Sequence, residues 1–314
     1  MVPVPATEEA VTSAMPGVRA CCASGHAARP LSRIGSGKKR GRSAFFSFWP
    51  VLRAKMNRHH RSHPMPRLFR YLYRIPLLLL HALIGLPILL LLLSPVFGRF
   101  SIYGERVDQW AAGFWSRILV RIFGLRMRRF GTPLPGAALF VANHISWIDI
   151  CVLHSQRWMA FVAKAEIERW PLIGTVVSHA GTIYHHRGSN DSLHGVMHQM
   201  LARLQTGFAV GVFPEGRTHS GHAIGVFHAR IFQPAVIAGT PAQPIAIKYG
   251  DKGDAQVLMA FGPKENFFSN LWRVLGEPVR PCEVHFLEPV AAHEDGRRKM
   301  ADLCRQRIVD VMAG

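Results

Sequence analysis

Apolar and polar positions follow three regimes along the chain. Residues 1–55 are rich in Ala, Gly, Ser, Pro and Arg and show neither a helical nor a strand period, which predicts no packed element there. Residues 68–95 are predominantly apolar, and the stretch 75–93 is almost wholly aliphatic between Arg74 and Arg99. At about 1.5 Å rise per residue such a stretch is close to the ~20 residues that cross a bilayer. Pro76, Gly85, Pro87 and the Ser94-Pro95 pair invite kinks, so a hairpin into one leaflet and a full crossing both fit. Residues 103–125 have a helical period: Trp110, Phe114, Trp115, Ile118, Leu119, Ile122 and Phe123 fall near one face, with Asp108, Arg117 and Arg121 opposite. This predicts a second helix, lying in the membrane interface or facing a core.

From Gly136 onward short apolar runs alternate with helical stretches. Strands are predicted at 137–142, 158–163, 181–185, 208–213, 243–249, 256–261 and 283–287, and helices at 146–155, 191–204, 229–238, 265–275 and 293–312. That alternation is the signature of a layered α/β domain. The expected organisation is a basic leader at 1–67, a membrane-associated two-helix element at 68–130, and an α/β domain at 131–314.

The formal net charge of +19 sharpens this picture because it is uneven. Residues 1–74 carry 14 Lys and Arg against two acids, and the remaining 240 carry 24 against 17. A basic segment beside an apolar helix favours anionic lipid headgroups. No nucleic-acid-binding motif accompanies the charge, so nucleic acid is not an expected partner. Both flanks of the apolar stretch are basic, with Arg117, Arg121, Arg126, Arg128 and Arg129 following it, which places both on the cytoplasmic side. The leader is either a basic tail or an upstream extension with Met56 or Met65 as the start. Cys21, Cys22, Cys151, Cys282 and Cys304 form no CxxC pair and are odd in number, as expected of reduced thiols. His194 and His198 share a helical face, but no third ligand accompanies them and no metal is expected.

Two segments carry candidate chemistry. Val141-Ala142-Asn143-His144-Ile145-Ser146-Trp147-Ile148-Asp149 sets a histidine and a carboxylate five positions apart where an apolar strand ends. On one straight helix two such residues stand about 140° apart. They meet only if His144 ends the strand, Ser146 caps a helix and Asp149 lies in its first turn. The carboxylate then holds one imidazole nitrogen and leaves the other to take a proton from an alcohol. The alternative is a strand-end histidine followed by an aspartate that complements a helix dipole. The second segment, Phe213-Pro214-Glu215-Gly216-Arg217-Thr218, follows another apolar run and turns sharply at Pro and Gly. Glu215 is placed to accept from substrate hydroxyls, Arg217 to pair with phosphate, and Thr218 to add a hydroxyl. A base facing an anion-binding turn suits acyl transfer onto a phosphate-bearing alcohol. No Gly-x-Ser-x-Gly elbow is present to supply a serine nucleophile. Cys151 lacks a base of its own.

In these blocks the chain resembles the lysophospholipid acyltransferase family. It carries N-H-x-x-x-x-D at residues 143–149, G-x-x-Y-x-x-R at 181–187, F-P-E-G at 213–216, and a proline before an apolar strand at 244–247, in the family's order. The resemblance covers roughly residues 100–260 and implies a layered αβ acyltransferase domain preceded by a two-helix element dipping into one leaflet. It implies His144 as general base and Asp149 as its orienter. Arg187 and Arg217 are then phosphate ligands, Glu215 and Gly216 shape the acceptor pocket, and Lys164 is a basic residue near the site. The implied donor is acyl-CoA or acyl-carrier protein, and the implied acceptor a lysophospholipid, foremost 1-acyl-sn-glycerol-3-phosphate; no cofactor is implied. The expected location is the bacterial inner membrane, with the catalytic domain on the cytoplasmic side. Where the family commonly reads E-G-T-R, this chain has Glu215-Gly216-Arg217-Thr218, and where many members have F-K-x-G it has Phe227-His228-Ala229-Arg230. Arg230 is thereby a compensating cation, and the F-H-A-R version resembles a subgroup that includes ornithine-lipid acyltransferases. A lyso-ornithine acceptor, or a catalytically silent lipid-binding protein of this fold, are the alternatives.

Overall fold

The computed structural model describes residues 66–102, 104–186, 190–221, 223–292 and 296–314. The basic leader up to residue 65 and Arg187 lie outside the described residues.

Among the described residues nine strands and ten α-helices alternate. They run α1 (Arg67–Leu80), α2 (Leu86–Leu92), β1 (Ser101–Ile102), β2 (Glu105–Arg106), α3 (Val107–Ile122), β3 (Leu125–Phe130), β4 (Leu139–Ala142), α4 (Ile148–His154), β5 (Ala160–Lys164), α5 (Ile173–His179), β6 (Ile183–His185), α6 (Asn190–Gln205) and β7 (Val210–Val212). They continue through α7 (Gln233–Ala238), β8 (Ala242–Tyr249), α8 (Gln256–Met259), α9 (Phe267–Leu275), β9 (Arg280–Phe286) and α10 (Gly296–Ala313). Strands β1 and β2 pair with each other, and the rest form one sheet in the order β3-β9-β8-β4-β7-β5-β6. Neighbours from β8 to β6 are parallel, β9 is antiparallel to β8, and β3 is parallel to β9.

The sheet is covered on both faces, which explains why its strands read as continuous apolar runs. Along β4 the side chains alternate: Phe140 and Ala142 enter a core shared with Leu119 and Val120 of α3, Ile148 and Val152 of α4 and Leu275 of α9. Leu139 and Val141 enter the opposite core, with Met200 of α6, Ala235 of α7 and Cys304 of α10. The chain therefore leaves β4 over one face and β7 over the other. Adjacent parallel strands whose connections part in this way open a crevice at their carboxyl ends, and ligands bind there in open α/β sheets.

Three expectations fail for physical reasons. The strand expected at 256–261 is absent: Gln256–Met259 form the short helix α8, and Gln256 turns back to satisfy β8, accepting from the Tyr249 N–H and donating to the Ile247 carbonyl. The alternating Leu125-Arg126-Met127-Arg128 run, assigned to the membrane element, is the sheet's edge strand β3. Its arginines suit an edge that must not pair further. The second expected membrane helix, α3, is a core helix: Ala111, Ala112, Ser116, Leu119 and Val120 are buried.

Among the described residues one helix thus remains long and apolar enough to cross a membrane, the continuous segment Arg67–Leu92. Its 26 residues span about 39 Å at helical rise. The hydrogen bonding widens to a π-turn at His81–Gly85, with the Leu86 N–H donating to the His81 carbonyl just before Pro87. Its ends are tied to the same domain. At one end Leu89 and Leu93 pack on Ala111 and Ala112 of α3. At the other, Arg67, Arg70 and Arg74 share a face of α1. They donate to the carboxyl-terminal carbonyls of α9: Arg67 to Arg273, Arg70 to Gly276 at 2.6 Å, and Arg74 to Leu275 and Glu277 at 2.7 Å each. Orphan carbonyls at the negative end of a helix dipole are what a buried guanidinium without a carboxylate needs. Hydrogen bonds from a charged donor contribute about 1.5–3 kcal/mol each, which offsets the desolvation of Arg74, only 1% exposed. Gly124 closes α3 at φ +78, and a Cβ there would lie 2.2 Å from the Arg74 guanidinium, so both backbone sign and space require glycine.

Candidate active site

Asn143 and His144 follow the last residue of β4. The ladder between β4 and β8 ends at Ala142 opposite Ile245, and Asn143 extends it with its side chain. Its amide donates to the Ile247 carbonyl at 3.1 Å and its Oδ1 accepts from the Ile247 N–H at 2.8 Å. This amide fixes where the strand stops and the turn begins.

The turn brings His144 onto Asp149. The imidazole Nδ1 lies 2.9 Å from Asp149 Oδ2. The same oxygen accepts from the backbone N–H groups of Ile145 at 2.6 Å and Ser146 at 2.9 Å. Helix α4 starts one residue later than expected, at Ile148 after Trp147, and Ser146 provides no side-chain cap. Asp149 itself reaches back to close the turn. Its Oδ1 accepts from the hydroxyl of Tyr249 at 2.5 Å, and neither Asp149 nor Tyr249 has exposed surface. Four donors thus converge on one buried carboxylate. An ionised carboxylate only accepts, so Nδ1 carries the imidazole proton and Nε2 keeps its lone pair. Nε2 has no hydrogen-bond partner among the described residues. The ring is stacked on Phe213 with centroids 3.9 Å apart and 15° between planes, and Phe213 stacks in turn on Phe161.

Glu215 stitches the two sequence blocks together. Its carboxylate is 1% exposed. Oε1 accepts from the His144 N–H at 2.9 Å, and Oε2 accepts from the Gly225 N–H at 2.7 Å and pairs with Nε2 of His219 at 3.2 Å. The His219 N–H donates back to the His144 carbonyl. Both Glu215 oxygens are therefore engaged inside the protein, and this residue organises the turn. Gly216 turns the chain at φ +71. Glu215, Gly216, Arg217, His219, Val226 and His228 line an open recess of about 540 Å³.

The remaining expected residues fall into groups. Gly216 and Arg217 are exposed in the recess, and Thr218 is half-buried between Arg217 and His219. Lys164 ends β5 at the same edge of the sheet, exposed and paired with Glu166 at 2.9 Å. That lysine holds the Glu166 carboxyl below its usual range. Arg230 is exposed on the short 3-10 turn Ala229–Phe232 and does not line the recess. Among the described residues no group of three His, Cys, Asp or Glu is arranged to hold a metal. Burial pushes the Cys151 thiol up to about 12, which leaves it without a nucleophilic thiolate.

Four contributors were not singled out from the sequence: Asn143, Phe213, His219 and Tyr249. A signal existed for Tyr249. It ends a strand whose eight residues are all buried, and a buried phenol needs a partner.

Comparison with known proteins identifies the family. The family described as Acyltransferase matches residues 129–248, which contain the dyad, the Glu215 turn and most of the parallel sheet. Over 205 residues the chain is 32% identical to the lyso-ornithine lipid O-acyltransferase of Pseudomonas aeruginosa, covering 65% of this chain and 77% of that one. The chain is a member of the lysophospholipid acyltransferase family. It is also similar to a 1-acyl-sn-glycerol-3-phosphate acyltransferase from Neisseria gonorrhoeae, 30% identical over 191 residues, covering 60% of this chain and 75% of that one. The crystal structure of the 1-acyl-sn-glycerophosphate (LPA) acyltransferase PlsC from Thermotoga maritima shares the fold, with a TM-score of 0.57 at 17% identity, covering 79% of this chain and 98% of that one. This acyltransferase therefore has relatives named for different acceptors, all of them lyso-lipids.

Proposed function

We propose that this acyltransferase moves an acyl chain from acyl-CoA or acyl-carrier protein to the free hydroxyl of a lyso-lipid, with His144 as general base. The observation that carries the reading is the His144–Asp149 pair: Nδ1 is held at 2.9 Å by a fully buried carboxylate, while the imidazole keeps 16% of its surface exposed and Nε2 has no hydrogen-bond partner among the described residues. Nε2 takes the hydroxyl proton as the oxygen attacks the thioester carbonyl. The thiolate then leaves and recovers the proton from the imidazolium, so no acyl-enzyme is needed. Exposed Arg217 beside the recess is the proposed phosphate ligand, and Arg187, Lys164 and Arg230 are further cations for the acceptor or donor. Glu215 and Gly216 shape the acceptor side through the turn, with Thr218 next to them.

The acceptor we favour is 1-acyl-sn-glycerol-3-phosphate, giving phosphatidic acid at a membrane of a bacterial cell. Exposed Arg217 in the recess, with His219 and His228 on the same lining and both Glu215 oxygens turned to internal partners, supports a phosphate. A lyso-ornithine acceptor is the second reading, favoured by identity to the Pseudomonas relative. Purified full-length protein given labelled donor and a panel of lyso-lipids tests both. Product with lysophosphatidic acid is expected. Product with lyso-ornithine lipid alone replaces the acceptor but keeps the chemistry, and unchanged turnover by His144→Ala overturns the mechanism.

A further inference from the structure

We propose that α9, in the catalytic domain some 200 residues from the apolar helix, is a second membrane-contacting element whose outer face rests in the headgroup–acyl boundary of an anionic phospholipid bilayer. The helix is two-faced. Asn270, Val274 and Leu275 are buried, while Phe268 and Trp272, one turn apart, are 70% and 51% exposed. Large aromatics this open on a helix ordered by a capping box at Asn266 and Ser269 are not loose ends. Contiguous exposed apolar surface marks an interaction site.

The patch is assembled from three distant segments. Trp170 contacts the rings of both Phe267 and Phe268. Leu172, two residues on, is 65% exposed and held at φ +64, a strained backbone for leucine that presents it outward. Trp272 stacks on Tyr71 of α1 with centroids 5.0 Å apart, and the Tyr71 hydroxyl donates to the Trp272 carbonyl. Beside Tyr71, Leu68 is 75% exposed on the helix that is long and apolar enough to cross a membrane.

Three features select a bilayer over a protein partner. The patch is continuous with the membrane-length helix. Its aromatics include Trp and Tyr, which concentrate at the depth where acyl chains meet headgroups. Exposed Arg169 and Lys264 flank it, the second at φ +59, and cations there favour an anionic surface. The arginine clamp from α1 to the end of α9 fixes the two helices to each other, so an α1 held in lipid brings α9 to the same surface. Asn270, on the buried side of α9, accepts from the Trp147 indole N–H at 2.9 Å, three residues from His144. The proposed lipid contact and the base are thus linked through one helix.

The test does not depend on acyl transfer. Full-length protein carries p-benzoylphenylalanine at position 268, or in separate proteins at 77 on α1 or 237 on α7, and is irradiated in phosphatidylglycerol–phosphatidylethanolamine vesicles. Lipid adducts are expected at 268 and 77 and not at 237. Adducts at 77 without 268, or crosslinks from 268 into a second copy or into residues 1–65 in place of lipid, overturn the proposal. With brominated phosphatidylglycerol, Trp272→Phe is expected to lose part of the quenchable tryptophan emission; an unchanged quenched fraction also overturns it.

Discussion

Asp149 has no exposed surface and four donors on its two oxygens, two from the backbone, one from His144 and one from Tyr249. Arg217, a short distance along the same carboxyl edge of the sheet, is exposed on a glycine turn. The two halves of the site are built by opposite means. The proton-transfer half is over-determined by strand ends and buried polar contacts, so its geometry is fixed before substrate arrives. The half proposed to face the acceptor is an open recess with exposed Arg217 on its lining. Preorganisation belongs where charge develops during the reaction. An open recess fits a family whose relatives are named for different lyso-lipids.

The comparison can be broken most severely at the carboxylate. Asp149→Asn keeps the shape but removes the anion that fixes the imidazole tautomer, and kcat is expected to fall by about 10³–10⁴-fold in steady-state assays. A loss under tenfold would mean that the buried half is not what sets the rate. Tyr249→Phe removes one donor to the same carboxylate and leaves its oxygen buried, so a decrease of about 10–100-fold in kcat/KM is expected, read with folding checked by circular dichroism. At the rim, Arg217→Ala is expected to raise KM for a phosphate-bearing acceptor about tenfold with kcat nearly unchanged. Added salt should shrink the difference, because exposed charges are screened. A fall in kcat at Arg217 equal to that at Tyr249 would erase the distinction between the halves. The smallest effect is expected at Cys151, which follows the dyad on α4. With burial raising its thiol to about 12, iodoacetamide at pH 8 should leave it unmodified, as read by peptide mass mapping.

Of the site, the sequence carried the residues whose roles are local. His144 at a strand exit, Asp149 in the following first turn and the Pro214–Gly216 reversal are set by short-range spacing and turn chemistry. Glu215 shows the limit. Its sequence context suggests a side chain free to meet substrate, whereas its carboxylate is consumed by the His144 and Gly225 N–H groups and by His219. Those partners are 71, 10 and four positions away, and the most distant is reached only because β7 lies beside β4. Tyr249 is 100 positions from Asp149 and meets it because β8 lies on the other side of β4. The membrane element was misjudged for the same kind of reason. Arg67–Leu92 is the apolar span, whereas α3 has only an apolar face, and packing decided that this face turns inward.

The sequence by itself determined the alternating α/β architecture, the apolar helix, and the pairing of His144 with Asp149. These depend on period, turn residues and contacts within one strand–turn–helix. Tertiary structure decided the sheet order, the third and fourth donors around the dyad, the role of Glu215, and the clamp in which three arginines of an apolar helix cap the far end of α9. The physical reason is that a buried polar group must find a partner, and the partner's place in the chain is set by which elements pack together.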